Sequence, residues 1–275
     1  MINRILIPLD EYHYSKTAIE YGINLVPNEK CHLDSLYIID VPAIEKATGP
    51  VPVGGTYYAK KEINTRLDKE KKLAEEMMRE FSDICQAKNI NHRINVLEGE
   101  PEEIIVEESK YYDLVIVPCK TSFRYGEKFD KGIQHELISH EVRPALMIPA
   151  EYREIKKIVL CFDGEIQSIK AIQQFVRMEI WRGRDIYLLH INKNNEVGDA
   201  LLEKIGGYLS AWKIPFEKVL LPGNPKEQIF DFIKTNKIDM AVMGAHGKKK
   251  LMKFIVGSTT DRFIEMAEIP LFIFH

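Results

Sequence analysis

The chain has 275 residues, 45% of them apolar and 29% charged, with 38 basic against 41 acidic side chains and a formal charge of −3. Such a chain can bury a substantial core over about two domains, and its balance excludes a global pull toward nucleic acid or anionic membrane. Its four cysteines (Cys31, Cys85, Cys119 and Cys161) form no CxxC pair, which argues against a zinc ribbon, a thioredoxin motif and a secreted disulfide scaffold.

The chain opens on MINRILIPLD, a short apolar run that meets Asp10 at once. It reads as a first strand and is too short for a signal-peptide core. No later stretch approaches the length of apolar chain that a membrane span needs. The expected compartment is therefore a reducing cytoplasm. After a second strand comes PAIEKATGPVPVGGTYY, residues 42–58, whose three prolines and three glycines predict a loop rather than an element. It reads either as an irregular connection or as a lid or partner-binding segment. A long Lys- and Glu-rich amphipathic helix is expected over about 62–88. Gly99-Glu100-Pro101 then opens another helix, and Asp113 leads into the apolar run 114–117. Arg143-Pro144 introduces ALMI, residues 145–148.

Beyond residue 150 the same order returns. IVLCFD at 158–163 repeats ILIPLD at 5–10, and the same offset pairs Ser15 with Ser168 and Ala18 with Ala171. Gly223-Asn224-Pro225, Asp239-MAVM and Ile269-Pro270-LFIF repeat the later landmarks. The chain is thus a duplication, with domains expected at 1–150 and 151–275. Strands are predicted over 157–162, 185–191, 216–221, 239–243 and 270–274, and helices over 165–181, 196–212, 225–236 and 258–267. The strands are continuous apolar runs, as expected where helices cover both faces. Alternation of the two element types predicts α/β architecture with a doubly wound, five-stranded parallel sheet in each half.

Chemistry concentrates in the second half, where the pattern G-x2-G-x9-G-[ST] is formed by Gly244, Gly247, Gly257 and Ser258, followed by Thr259. Glycines let a backbone approach a ligand closely and take positive φ. A helix that opens on Gly-Ser-Thr turns free N–H groups and hydroxyls toward an anion at the positive end of its dipole. The element follows a parallel strand at its carboxyl end, where open α/β sheets bind ligands. A structural reading competes: Gly244 can simply terminate a strand, and Ser258 with Asp261 forms a capping box that needs no ligand.

The segment MGAHGKKKLMKFIVGSTTDRFIEMAEIPLFIF, residues 243–274, resembles the ATP-binding signature and final strand of universal stress proteins. With the duplication, the whole chain looks like a tandem member of that family. The resemblance implies a Rossmann-like fold of the adenine nucleotide alpha hydrolase type, and ATP or ADP, with Mg as accompanying ion. It implies that Asp163 contacts the adenosine end, that His190, Ile191 and Asn192 line the base pocket, and that Gly244, Gly247, Gly257, Ser258 and Thr259 hold ribose and phosphates. It also implies an intrachain pseudo-dimer in which strands 145–148 and 270–274 meet, with a homodimer of whole chains open and the protein partner unknown.

The first half departs from the pattern. Pro118 and Thr121 stand where Gly244 and Gly247 do, and Gln134 stands where a hydroxyl is wanted. Pro118 lacks an N–H, and Thr121 resists positive φ, so this nucleotide loop reads as degenerate. Lys248, Lys249, Lys250 and Lys253 form either a solvated loop or point charges over a phosphate. No catalytic or metal-ligating set is predicted; His135 and His140 are wrongly spaced for one helical face. His246 reads as exposed or as a rim contact. Met77, Met78 and Trp212 are expected to pack helices onto the sheet. Ser15 and Ser168 are either helix-terminal polar groups or modification sites. Two alternatives to a nucleotide-binding regulator stay open: an interaction protein with vestigial sites, and a slow ATP hydrolase.

Overall fold

The computed structural model describes residues 2–10, 12–26, 30–49, 55–121, 123, 125–126, 134, 143–245, 258–266 and 268–275. Ten strands carry the architecture: β1 (Arg4–Leu9), β2 (His32–Ile39), β3 (Asn91–Glu98), β4 (Leu114–Pro118), β5 (Ala145–Ile148), β6 (Lys157–Phe162), β7 (Asp185–Ile191), β8 (Glu217–Leu221), β9 (Met240–Gly244) and β10 (Leu271–Phe274). They form a single sheet in the order β3-β2-β1-β4-β5-β10-β9-β6-β7-β8. Within each run of five the described pairings are parallel. At the centre β5 and β10 pair antiparallel, Leu271 opposite Met147 and Phe272 opposite Leu146. These are the two strands expected to meet.

Helices cover both faces. One layer is α1 (Tyr12–Leu25), α3 (Thr56–Ala87), α5 (Ile166–Met178) and α6 (Asn195–Ala211), packed on Ile5, Ile7, Ile158, Leu160 and Phe272. The other is α4 (Pro101–Ser109), α7 (Pro225–Asn236) and α8 (Ser258–Met266), packed on Leu6, Val115, Val159 and Ile273. Successive strand residues thus bury into opposite cores, which is why the runs are apolar without alternation.

The repeat is physical as well as textual. Asp113 Oδ2 accepts from the backbone N–H groups of Asn3 and Arg4 at 2.8 and 3.0 Å, tying β4 to β1. Asp239 Oδ2 accepts from Lys156 and Lys157 at 2.9 and 2.8 Å, tying β9 to β6.

Three expectations are corrected. Residues 42–58 are not wholly loop: α2 (Val41–Lys46) forms because the Asp40 carboxylate caps it at Ala43 N–H, 2.9 Å, and Pro42 suits its first turn. Helix α3 starts at Thr56, six residues before the expected 62. Trp212 ends α6 with 40% of its surface exposed, against Tyr208 rather than the sheet, whereas Met77 and Met78 are buried as expected. Among the described residues no helix is long and apolar enough to cross a membrane.

All four cysteines are free and buried. Burial pushes the thiols of Cys31, Cys85, Cys119 and Cys161 up from 9.0 to about 12, and the phenols of Tyr21 and Tyr112 from 10.0 to about 12. The unfolded chain therefore releases these protons first. Their contribution to stability is complete below pH 9 and is lost as pH rises toward 12. Urea unfolding midpoints should fall through that window, and a profile that stays flat above pH 9 would contradict the burial.

Candidate functional site

In each half the sheet reverses its strand order between the first and fourth strands, so their carboxyl ends frame a crevice. In the second half these are β6 and β9, whose register sets Leu160 opposite Val242. Their ends, Phe162 and Gly244, are therefore level. Strand β7 lies on the other side of β6, with His190 opposite Phe162.

Asp163 emerges from β6 exposed, and a tight turn fixes it. Gly164 takes φ +83, a conformation glycine adopts freely. That turn brings the Glu165 N–H to Asp163 Oδ1 at 2.9 Å. Ser168 Oγ lies 2.7 Å from the same oxygen and 2.9 Å from the Glu165 carbonyl, sharing its one proton between them. The Asp163 N–H donates back to Ser168 Oγ at 3.4 Å. Oδ1 is thus held inside the protein, while Oδ2 has no hydrogen-bond partner among the described residues. Ser168 is 4% exposed and Ser15 is 3% exposed. Both serve as helix-terminal polar groups in this fold, and neither offers its hydroxyl to a modifying enzyme.

His190 is 3% exposed. Its Nδ1 lies 2.7 Å from the Phe162 carbonyl, which requires a proton on Nδ1. Nε2 is then the acceptor for the Asn192 amide at 3.3 Å. The Asn192 N–H donates to Leu221 O at 3.0 Å, and its Oδ1 receives the Asn194 N–H at 3.0 Å. The imidazole braces the ends of β6 and β7 and holds the Asn192 amide beside it. Ile191 closes β7, half-buried.

Gly244 ends β9, but not with positive φ. A Cβ there would stand 2.5 Å from the Gln167 carbonyl carbon and 2.6 Å from the Ser168 nitrogen. The glycine is needed because the first turn of α5, which carries Ser168, sits directly on the strand end. Its service to Asp163 runs through Ser168. Thr259 is half-buried in the first turn of α8, which opens at Ser258. Gly247, Gly257, His246 and the lysines 248–250 and 253 lie outside the described residues, as do His135 and His140. Gly164 was not singled out by the sequence reasoning; an Asp-Gly pair directly after an apolar strand was the signal available.

The first half has the same crevice filled differently. Gln134 is wholly buried and donates from Nε2 to the carbonyl oxygens of Pro118 and Thr121, at 2.9 and 3.1 Å. Its Oε1 and Thr121 Oγ1 are buried and have no partner among the described residues. Tyr37, opposite Leu9 as His190 is opposite Phe162, donates its hydroxyl to Glu70 on α3 at 3.1 Å. Ser15 bonds the Asp10 backbone there, with the N–H of Asp10 reaching its Oγ at 2.9 Å.

Residues 1–123 and 199–275 match the universal stress protein family. The chain belongs to that family. It is a tandem member, its two matched segments falling on the two copies of the repeat. It is 26% identical over 174 residues to a universal stress protein of Synechocystis, a match that covers 60% of this chain and 58% of that relative's length. A universal stress protein structure from Archaeoglobus fulgidus superposes with a TM-score of 0.74 at 17% identity, covering 98% of this chain and 95% of that one. A structure from Pseudomonas aeruginosa, named as that of a putative universal stress protein, gives 0.63 at 13% identity over 99% and 93%. These two likenesses establish the Rossmann-like fold shared with universal stress proteins.

Gly244→Ala should push the first turn of α5 off β9 and cost about 1–3 kcal/mol, the usual size of an overpacking defect. Gly207→Ala, where an added Cβ meets nothing within 4 Å, should be neutral or stabilising. Urea unfolding of the two variants compares them directly, and equal midpoints would refute the close-packing role of Gly244.

Proposed function

We propose that the chain is a regulatory protein that holds one ATP or ADP in residues 151–275, at the crevice between β6 and β9. The reading is carried by one observation: the Asp163 carboxylate is locked through Oδ1 and presents at the strand end an Oδ2 that has no partner among the described residues. A fixed acceptor suits a ribose hydroxyl, because no reorganisation is needed when the ligand arrives. Asn192 and Ile191, at the end of β7, are proposed to line the base. Gly247 and Gly257 with Ser258 and Thr259 are proposed to hold the phosphates, where the dipole of α8 favours anions, while Gly244 seats the first turn of α5 beside them. Mg would travel on the phosphates; among the described residues no three His, Cys, Asp or Glu side chains converge on a metal position.

In this reading residues 1–150 hold no nucleotide. Gln134 occupies the carbonyls above β4, and Pro118 replaces the glycine at the strand end. The antiparallel β5–β10 pairing supports reading the chain as an intrachain pseudo-dimer of one competent and one degenerate copy. The bound nucleotide acts as a signal in the cytoplasm, read by a partner protein.

Calorimetric titration should give one ATP or ADP per chain. Asp163→Asn keeps the Oδ1 acceptor, and with it the turn, but replaces Oδ2 by an amide. It should weaken binding at least about ten-fold, since a hydrogen bond to a charged group contributes about 1.5–3 kcal/mol. Absence of heat at millimolar ATP, or unchanged affinity in Asp163→Asn, would sink the assignment.

A further inference from the structure

The antiparallel seam consumes the edges of β5 and β10 and leaves β3 and β8 at the two ends of the sheet. These two edges are built differently. Strand β8 has five residues and begins with the exposed pair Glu217 and Lys218, the lysine tied to Glu203 on α6. Short length and charge are the usual protection of a sheet edge. Strand β3 has eight residues, and Ile94, Val96 and Leu97 are 43%, 44% and 36% exposed. Among the described residues nothing pairs with its outer side.

The two faces of β3 can be assigned. His92 packs on Phe81 with ring centroids 5.8 Å apart, and its Nε2 lies 3.0 Å from Ser82 Oγ, both on α3. Glu98 pairs with Lys71, also on α3, at 3.2 Å. Side chains alternate along a strand, so His92, Ile94, Val96 and Glu98 share the α3 face. Arg93, Asn95 and Leu97 point to the other. Asn95 accordingly reaches from that face to the Ser35 carbonyl of β2 at 3.1 Å.

We propose that β3 is a homodimer interface, pairing antiparallel with β3 of a second copy of this chain. A continuous two-fold sheet must place residues of the same face opposite one another. The register centred on Asn95 does so with matched chemistry. Ile94 meets Val96 of the partner copy twice, once on each side of the axis. His92 meets Glu98, Arg93 meets Leu97, and Asn95 meets itself. No like charges are opposed, and both exposed β-branched pairs lie on the α3 face, where two antiparallel copies of that helix would roof the seam. Backbone pairing supplies hydrogen bonds to the open edge, and the apolar pairs supply burial.

Sedimentation equilibrium of the full chain, from about 1 to about 100 µM, should show a dimer with Kd in the micromolar range expected of a small interface. Ile94→Lys with Val96→Lys should raise that Kd at least about ten-fold with an unchanged circular dichroism spectrum. Both positions are exposed, so folding should survive. Val219→Lys on β8 should leave the dimer intact. The register has its own test: Asn95→Cys should form an intermolecular disulfide on mild oxidation, because the axis places position 95 opposite its own copy. The native thiols are buried and do not compete. A monomer throughout the range, a dimer indifferent to the lysine pair, or no cross-link from Asn95→Cys would each overturn the proposal.

Discussion

Two carboxylates at the foot of the sheet decide what meets at its head. Asp113 and Asp239 each collect two backbone N–H groups from the start of a neighbouring strand. Hydrogen bonds to a charged acceptor are stronger than neutral ones, and here each pair fixes a strand in register as well as in place. β1 is thereby tied to β4 and β6 to β9. These are the strand pairs at which the order reverses, so the crevice and everything around it inherit their alignment from the opposite end of the sheet. Asp163 and Gly244 come level because Asp239 sets β9 against β6 below them.

The two copies share that foot and diverge at the head. The strand-end aspartate, the serine five residues on and the β1–β2 or β6–β7 pairing persist in both. What differs is where side chains above the strands send their polar atoms. Tyr37 reaches sideways to Glu70 on the long helix α3, while His190 spends both ring nitrogens on the ends of β6 and β7. Gln134 reaches the carbonyls above β4. Ser15 bonds backbone, whereas Ser168 also locks a carboxylate. Divergence is confined to groups that the clamps do not constrain, so one copy can change at its crevice without moving its strands.

The strands were legible because burial on both faces imposes continuous apolar runs; the predicted 157–162 and 185–191 coincide with β6 and β7. Duplication was legible through Asp10, Asp113 and their copies. The parts that were not legible depend on contacts distant in sequence or on local polar geometry. Helix α2 hid inside a Pro- and Gly-rich segment, although Asp40 and Pro42 are an N-cap and a first-turn residue. The spacing leaves Gly244 open between a strand terminator and a residue that makes room for a ligand, and its immediate neighbour is the backbone of Gln167 and Ser168, far earlier in the chain. Nothing in the spacing of G-x2-G announces that contact. The place of Asp163 at the strand end is legible in the repeat, but the turn that holds one of its oxygens depends on Gly164 and Ser168 together.

Joining two copies through β5 and β10 also fixes how the assembly can grow. An antiparallel seam turns the second copy end for end, so the molecule's outer edges are the third strand of each copy, β3 and β8, and they were free to diverge. Had both kept long apolar edges, every molecule could add a neighbour at each end, and the contact would propagate as an open sheet. With a five-residue edge at β8 that exposes Glu217 and Lys218 and an eight-residue edge at β3 that exposes Ile94, Val96 and Leu97, the proposed pairing of like edges closes after two chains. The dimer proposed on that edge would leave the β8 edges outermost, where Glu217 and Lys218 oppose further pairing. The asymmetry between the two copies, already present at their crevices, thus extends to their rims, and there it separates a closed dimer from a growing sheet.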